Sequence, residues 1–147
     1  MKLVVFTSNA IRHKFIVNTL TPMADDAMVV SECVPSHASA RPASGHASPS
    51  FQAHFRSRDE TEREWFGGHE TFRARTLPVL YGEVNAAFTA RAVSDFRPDL
   101  CVVFGASLIR APLLSCLPEG RTVNLHLGLS PYYRGSGTNF WPFVNRQ

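Results

Sequence analysis

An Asn and a His stand two residues apart in the segment VNLHLGLSPYYRGSGTNF, which runs from Val123 to Phe140. Successive side chains of an extended strand alternate between its two faces, so Asn124 and His126 project from the same side, with Leu125 turned toward the core. An Asn amide offers N–H donors, and an imidazole titrates near neutrality and becomes a charged donor when it is protonated. The pair therefore has the chemistry to stabilise negative charge and to exchange a proton.

The residues that follow the pair predict a tight loop rather than a continuing strand. Pro131, Gly135 and Gly137 favour turns, and Tyr133 and Arg134 lie among them. The pair is thus predicted at the end of a strand, which is where open α/β sheets place their ligands.

Apolar periodicity and turn residues predict alternating strands and helices along the chain. The predicted strands are Lys2–Phe6, Met28–Val34, Leu77–Tyr81, Leu100–Phe104 and Thr122–Leu125. The predicted helices are Ile11–Leu20, 51–66, a helix from Asn85 to Phe96, a short one near Pro112–Cys116, and an apolar helix that starts at Trp141. This alternation indicates an α/β fold with a Rossmann-like, mostly parallel sheet and helices on both faces.

Local patterns also predict the helix faces and caps. In the first helix, one side carries Ile11, Phe15, Ile16 and Leu20. In the helix that ends at Phe96, apolar residues recur every fourth position, at Val84, Phe88, Ala92 and Phe96. Asn9 and Asn85 are the predicted N-caps of these helices.

The composition predicts one domain over residues 1–147, with a loop inserted in it. The chain is 44% apolar, enough for a core. Residues 35–50 contain almost no large apolar side chain, so we expect a mobile loop there.

The set of motifs, taken in order, resembles the 10-formyltetrahydrofolate-dependent formyltransferases, which include methionyl-tRNA, glycinamide ribonucleotide and sugar N-formyltransferases. The residues that carry the resemblance are Arg97-Pro98-Asp99-Leu100, the strand Cys101–Phe104, Gly105 through Ile109, and Asn124-Leu125-His126 continuing through Ser130-Pro131 to Gly135. The opening Leu3-Val4-Val5-Phe6-Thr7-Ser8-Asn9 fits the family's first strand and turn as well, although many other α/β chains would match it equally.

The resemblance implies formyl transfer from 10-formyltetrahydrofolate to a primary amine, without a metal. Asn124 and His126 would be catalytic, as donors to the developing oxyanion and in proton transfer. The pterin pocket would be formed by Phe104, Gly105, Ala106, Ser107, Leu108 and Ile109. Candidates for binding the amine acceptor at the mouth of the sheet are Asn9, Arg12, His13, Tyr133, Arg134 and Gly135, with helix capping as the alternative role of Asn9.

The third catalytic residue of the family is an Asp on a later strand, and this chain has no acidic residue after Glu119. We therefore expect the chain to be the front part of a longer formyltransferase domain, or else a truncated relative that binds a ligand without catalysing the reaction. A generic nucleotide-binding α/β domain is a further alternative, but the segment RGSGT lacks the Lys and the spacing of a P-loop.

Charge and cysteine content restrict the partners and the compartment. The net charge of +3 arises from thirteen Arg and two Lys against interspersed acids, with no basic run to support tRNA binding. Arg58 and its acidic neighbours predict a solvated helix face.

Three Cys without paired spacing argue against disulfides and zinc, and Cys101 is predicted to be a buried apolar residue. With no apolar run long enough for a membrane span, we expect a cytoplasmic protein.

Overall fold

A computed structural model describes residues 1–33, 48–135, 138 and 140–146. Its centre is a five-stranded parallel sheet in the order β3-β2-β1-β4-β5. The strands are β1 (Lys2–Ser8), β2 (Asp26–Cys33), β3 (Arg75–Leu80), β4 (Leu100–Phe104) and β5 (Thr122–Asn124). The helices are α1 (Ile11–Leu20), α2 (Pro49–Phe66), α3 (Ala87–Phe96) and α4 (Trp141–Val144), with 3-10 turns at Thr21–Met23, Glu83–Asn85 and Leu113–Cys116. The predicted fold class is confirmed.

The central strand β1 is buried because its side chains supply the core on both faces of the sheet. Val4 and Phe6 join the larger apolar cluster, which also contains α3 residues such as Val93. Leu3 and Val5 join the smaller cluster, where Val17 of α1 packs. Cys101 lies in the larger cluster as predicted, and burial raises the pKa of its thiol to about 12.

The buried face of α1 differs from the apolar side predicted for it. Its buried residues are His13, Val17 and Asn18, whereas Phe15 is 36% exposed. Burial of Asn18 is possible because its side chain is satisfied by backbone groups far along the chain, donating to the carbonyl of Thr71 and accepting from the amide of Arg73. The N-cap is Ala10, which makes no side-chain cap bond, so the prediction of Asn9 as the cap was wrong.

The helix α2 begins earlier than predicted. Ser48 is its N-cap and accepts from the amide of Phe51 at 3.2 Å, and Pro49 occupies the first turn, where its missing N–H costs nothing. Residues 48–50 therefore do not belong to the predicted loop, while 34–47 lie outside the described residues. The helix has no buried residue, which confirms the solvated face.

The N-terminus of α3 also corrects a prediction. Its N-cap is Ala86, and Asn85 lies in the preceding 3-10 turn. The buried residues of α3 are Thr89, Ala90, Val93 and Phe96, while Phe88 is 51% exposed. The side chain of Asn85 bonds the backbone of residues 108 and 110 instead of a helix end, because the turn carries it away from the helix axis.

The strand β5 lies at one edge of the sheet and all three of its residues are exposed. Leu125 is 41% exposed, so the expectation that it faces the core was wrong. The reason is that β5 is an edge strand, which pairs only with β4 among the described strands. Phe140, Trp141 and Phe143 are 60%, 50% and 81% exposed.

Candidate active site

The carboxyl ends of the strands open onto a pocket of about 840 Å³. It contains most of the predicted site residues: Gly105, Ala106, Ser107, Leu108, Ile109, Asn124, His126, Arg134 and Gly135. Parallel strands end at the same edge of the sheet, so the loops after β4 and β5 meet there although they are distant in sequence. The predicted residues that do not line this pocket are Asn9, Arg12, His13, Phe104 and Tyr133.

The catalytic candidates follow β5 directly. Asn124 is the last residue of β5 and lies opposite Val103 of β4, and the amide of Leu125 continues the ladder by donating to the Val103 carbonyl at 2.9 Å. Asn124 is exposed and His126 is half-buried. Both therefore line the pocket from a strand end that the sheet holds in place.

The ring of His126 is oriented by the backbone of Gly128. Its Nδ1 lies 3.2 Å from the Gly128 amide and 3.1 Å from the Gly128 carbonyl oxygen. The neutral ring accepts the amide hydrogen at Nδ1, and the protonated ring donates from the same atom to the carbonyl. In both states Nδ1 is engaged with this turn, so Nε2 is the nitrogen through which His126 would act on a ligand.

The turn that holds His126 requires glycine. A Cβ on Gly128 would lie 2.4 Å from the Cβ of Thr138 and 2.7 Å from the carbonyl oxygen of Tyr133. Thr138 is itself buried. Tyr133 and Thr138 therefore pack closely against Gly128, and this contact supports the position of His126.

The loop after β4 begins at Gly105, which has φ of +69°. Its backbone lies directly on the imidazole of His13, and a Cβ there would be 2.1 Å from Cε1 of that ring. Further along, Leu108 is 71% exposed toward the pocket, and Ile109 packs against the larger core cluster. The loop thus presents apolar side chains to the pocket, while the backbone of Gly105 packs on the His13 ring.

His13 provides this support. Its Nδ1 lies 2.7 Å from Oγ of Ser8 and 3.2 Å from Oγ1 of Thr7, and its ring packs on Phe104 with centroids 4.6 Å apart. Burial, with a smaller contribution from the neighbouring Arg12, lowers the pKa of His13 from 6.5 to about 4. The ring is therefore neutral at pH 7. The backbone amide of Ser8 donates to Nδ1 at 3.4 Å, so Nδ1 is the acceptor nitrogen and can also accept from the Ser8 hydroxyl.

The other acceptor candidates are divided between the pocket and its surroundings. Arg12 pairs with Glu62 of α2 at 2.5 Å, and the hydroxyl of Tyr133 accepts from Asn145 at 3.1 Å. Of the loop candidates, Arg134 and Gly135 line the pocket. Contact of these residues with an acceptor stays a prediction.

Sequence reasoning assigned no site role to several polar residues that line the pocket, among them Ser8 and Glu32. Glu32 is 1% exposed, and its carboxylate accepts from the backbone amides of Gly82 and Ser107. The available signal was an acidic residue next to the end of an apolar strand, because a buried carboxylate in such a place must have partners.

The described residues contain no group of three or more His, Cys, Asp or Glu that could hold a metal ion. Within the same residues, none of the helices has the length and apolar character needed to span a membrane.

The sheet, its helices and the pocket at the carboxyl ends of the strands define a Rossmann-like α/β protein. No protein-family model matches the sequence, and no curated protein is detectably similar to it. Several solved structures share the fold, and two of them are formyltransferases. Phosphoribosylglycinamide formyltransferase from Anaplasma phagocytophilum superimposes with a TM-score of 0.57 at 11% identity, over 99% of this chain and 58% of that one. Glycinamide ribonucleotide transformylase 1 from Symbiobacterium toebii superimposes with a TM-score of 0.55 at 14% identity, over 99% of this chain and 60% of that one.

The fold of this chain is thus the fold of the glycinamide ribonucleotide formyltransferases, and the resemblance inferred from the motifs is confirmed at that level. The chain spans about three fifths of the length of these two structures.

Proposed function

We propose that this chain carries the donor pocket and two catalytic residues of an enzyme that transfers a formyl group from 10-formyltetrahydrofolate to a primary amine. The observation that supports the proposal is the convergence of Asn124, His126 and the loop after β4 on one pocket. The motif resemblance assigns these segments to catalysis and to pterin binding, and it does not depend on their proximity. The shared fold of known formyltransferases supports the same activity.

The size and lining of the pocket are compatible with a pterin. Its volume of about 840 Å³ falls within the range of roughly 300–1,000 Å³ that is common for small-molecule sites. Apolar side chains on its wall include Leu108, Ile109, Leu114 and Leu117, and the polar residues that line it include Ser107, Asn124 and His126. A flat heteroaromatic ring with hydrogen-bonding edges suits such a site.

Asn124 and His126 supply the polar chemistry. Formyl transfer places negative charge on the formyl oxygen, and preorganised donors at such a position are each worth about 3–4 kcal/mol. We assign the amide of Asn124 and Nε2 of His126 to this role, with His126 also exchanging a proton. Glu32 is not assigned to proton transfer because both of its oxygens accept backbone hydrogen bonds.

The acceptor is proposed only as a primary amine. Asn9, Arg12, His13, Tyr133, Arg134 and Gly135 remain the candidate acceptor residues, and a methionyl-tRNA-like or sugar-like amine is compatible with their position at the end of the sheet. A ligand-binding module of the same fold that does not catalyse the reaction is the second candidate.

Donor binding is tested by a thermal shift assay on the full-length protein with a reduced folate or a folate analogue. We expect the ligand to raise Tm, and Leu108→Asp to abolish the rise because it places an unpaired charge in an apolar wall. Since Leu108 is 71% exposed, the variant should fold without ligand. Met23→Asp is the control, because Met23 is 74% exposed and does not line the pocket. A folded protein that responds to no reduced folate would contradict the proposal.

A further inference from the structure

Two side chains hold the loop of residues 105–110 by its backbone. Glu32, at the end of β2, accepts from the amide of Ser107 at 2.6 Å. Asn85, in the turn before α3, donates to the carbonyl of Leu108 at 2.9 Å and accepts from the amide of Arg110 at 2.7 Å. The loop is therefore attached on both sides of Leu108, by residues that come from other parts of the fold.

Glu32 connects this loop to a second one. Its Oε1 accepts from the amide of Gly82 at 3.0 Å, while Oε2 accepts from Ser107. Gly82 has φ of +90° and lies in the turn that follows β3. A carboxylate that is 1% exposed would be costly unless its oxygens were satisfied, and two charge-assisted bonds to backbone amides satisfy them. The pocket wall and the turn after β3 are thus held by one buried anion.

Asn85 uses both ends of its amide on a short stretch of backbone. The bonds to residues 108 and 110 enclose Ile109, which packs against the core. Leu108 has no such packing and is 71% exposed, so its position is set by the backbone alone. An apolar wall that is fixed before the ligand arrives saves the cost of ordering it on binding.

We propose that Glu32 and Asn85 are positioning residues that set the affinity of the pocket for its formyl donor. They hold Leu108 and Ile109 in the wall against which the pterin packs. This inference rests on the proposed function. Neither residue is assigned to the reacting atoms, so their loss should weaken donor binding in the ground state and the transition state equally. Such a change raises KM without lowering kcat.

The test uses Glu32→Gln and Asn85→Ala in the full-length protein. Gln keeps the volume of Glu but turns its NH₂ group toward one of the two amides, so one bond is replaced by a contact between donors. Because hydrogen bonds to a charged group contribute about 1.5–3 kcal/mol, we expect donor KM to rise roughly tenfold to a hundredfold for Glu32→Gln. We expect a rise of about tenfold for Asn85→Ala, which removes two uncharged bonds. In both variants kcat and the acceptor KM should stay within about twofold of the wild type.

Asp26→Asn is the matched control. Asp26 is an exposed carboxylate at the other end of β2, paired with Arg75, so its loss removes a charge from the same strand without touching the loop. Amide hydrogen exchange gives a readout that does not need the donor. Exchange should accelerate at Gly82 and Ser107 in Glu32→Gln and at Arg110 in Asn85→Ala, and at none of these in the control.

An unchanged donor KM in both variants, or a loss confined to kcat, would overturn the inference. If Glu32→Gln does not fold, the donor KM of Asn85→Ala decides the inference, because Asn85 is outside the core and its loss should leave the protein folded. If the wild-type protein binds no reduced folate, the proposed function fails and the donor role of these residues fails with it. Faster amide exchange in the variants would then show that Glu32 and Asn85 hold the loop of residues 105–110 but have no role in donor binding.

Discussion

Replacing Gly105 by Ala tests whether the loop after β4 depends on a close contact with His13. The backbone of Gly105 has φ of +69°, and the added Cβ would lie 2.1 Å from Cε1 of the imidazole. The ring cannot move aside easily, because Ser8 and Thr7 hold Nδ1 and Phe104 packs on its face. The variant should therefore destabilise the fold and displace the start of the pocket wall.

The expected loss has two parts. A left-handed backbone costs a residue with a Cβ about 1–2 kcal/mol. Forcing a methyl group into a packed site costs about 1–3 kcal/mol more. We therefore expect Gly105→Ala to lower the free energy of unfolding by roughly 2–5 kcal/mol.

Gly120→Ala separates the two parts. Gly120 has a nearly equal φ of +66°, and nothing lies within 4 Å of the position of its Cβ. Urea unfolding at pH 7 should give a loss of only about 1–2 kcal/mol for this control. In a His13→Ala background, where the ring is absent, Gly105→Ala should cost no more than the control. Equal losses for the two glycine variants in the wild-type background would refute the role assigned to the contact.

Three further predictions concern pH, catalysis and association. The pKa of His13 is about 4 in the folded state and 6.5 in the unfolded state, so between these pH values the unfolded state binds one more proton. The free energy of unfolding should therefore fall as the pH drops from 6.5 to 4, by up to about 3 kcal/mol. In urea unfolding at several pH values, His13→Gln should remove this pH dependence. In the full-length protein, Asn124→Ala and His126→Ala should each lower kcat about 10²–10³-fold with little change in donor affinity. If steady-state kinetics show only a higher KM and an unchanged kcat, the two residues position the substrate instead. A protein of these 147 residues should self-associate, because the β5 edge and the apolar side chains of Trp141 and Phe143 are exposed. A monomer in light scattering would contradict this.

Local sequence patterns were sufficient to predict the main strands and helices and to find the candidate catalytic pair. The bounds of α1 and β4 were predicted correctly, since both are short apolar segments delimited by turn residues. The strand β5 ended within one residue of its predicted end. Asn124 and His126 were found because strand alternation and the loop residues after them are local properties. The placement of the 105–109 loop in the same pocket followed from the rule that parallel strands end at one edge.

Only the tertiary structure decided which polar residues are buried and what they hold. Glu32 and Ser107 are 75 positions apart, and Asn18 and Arg73 are 55 apart, so neither pairing leaves a trace in local periodicity. The predicted sides of α1 and α3 were only partly right, because Leu20 and Phe96 pack in the core whereas Phe15 and Phe88 are exposed. Apolar spacing cannot show that His13 or Asn18 of α1 has buried partners. A polar side chain is buried when groups elsewhere in the fold satisfy it, and the location of those groups is a property of the assembled sheet.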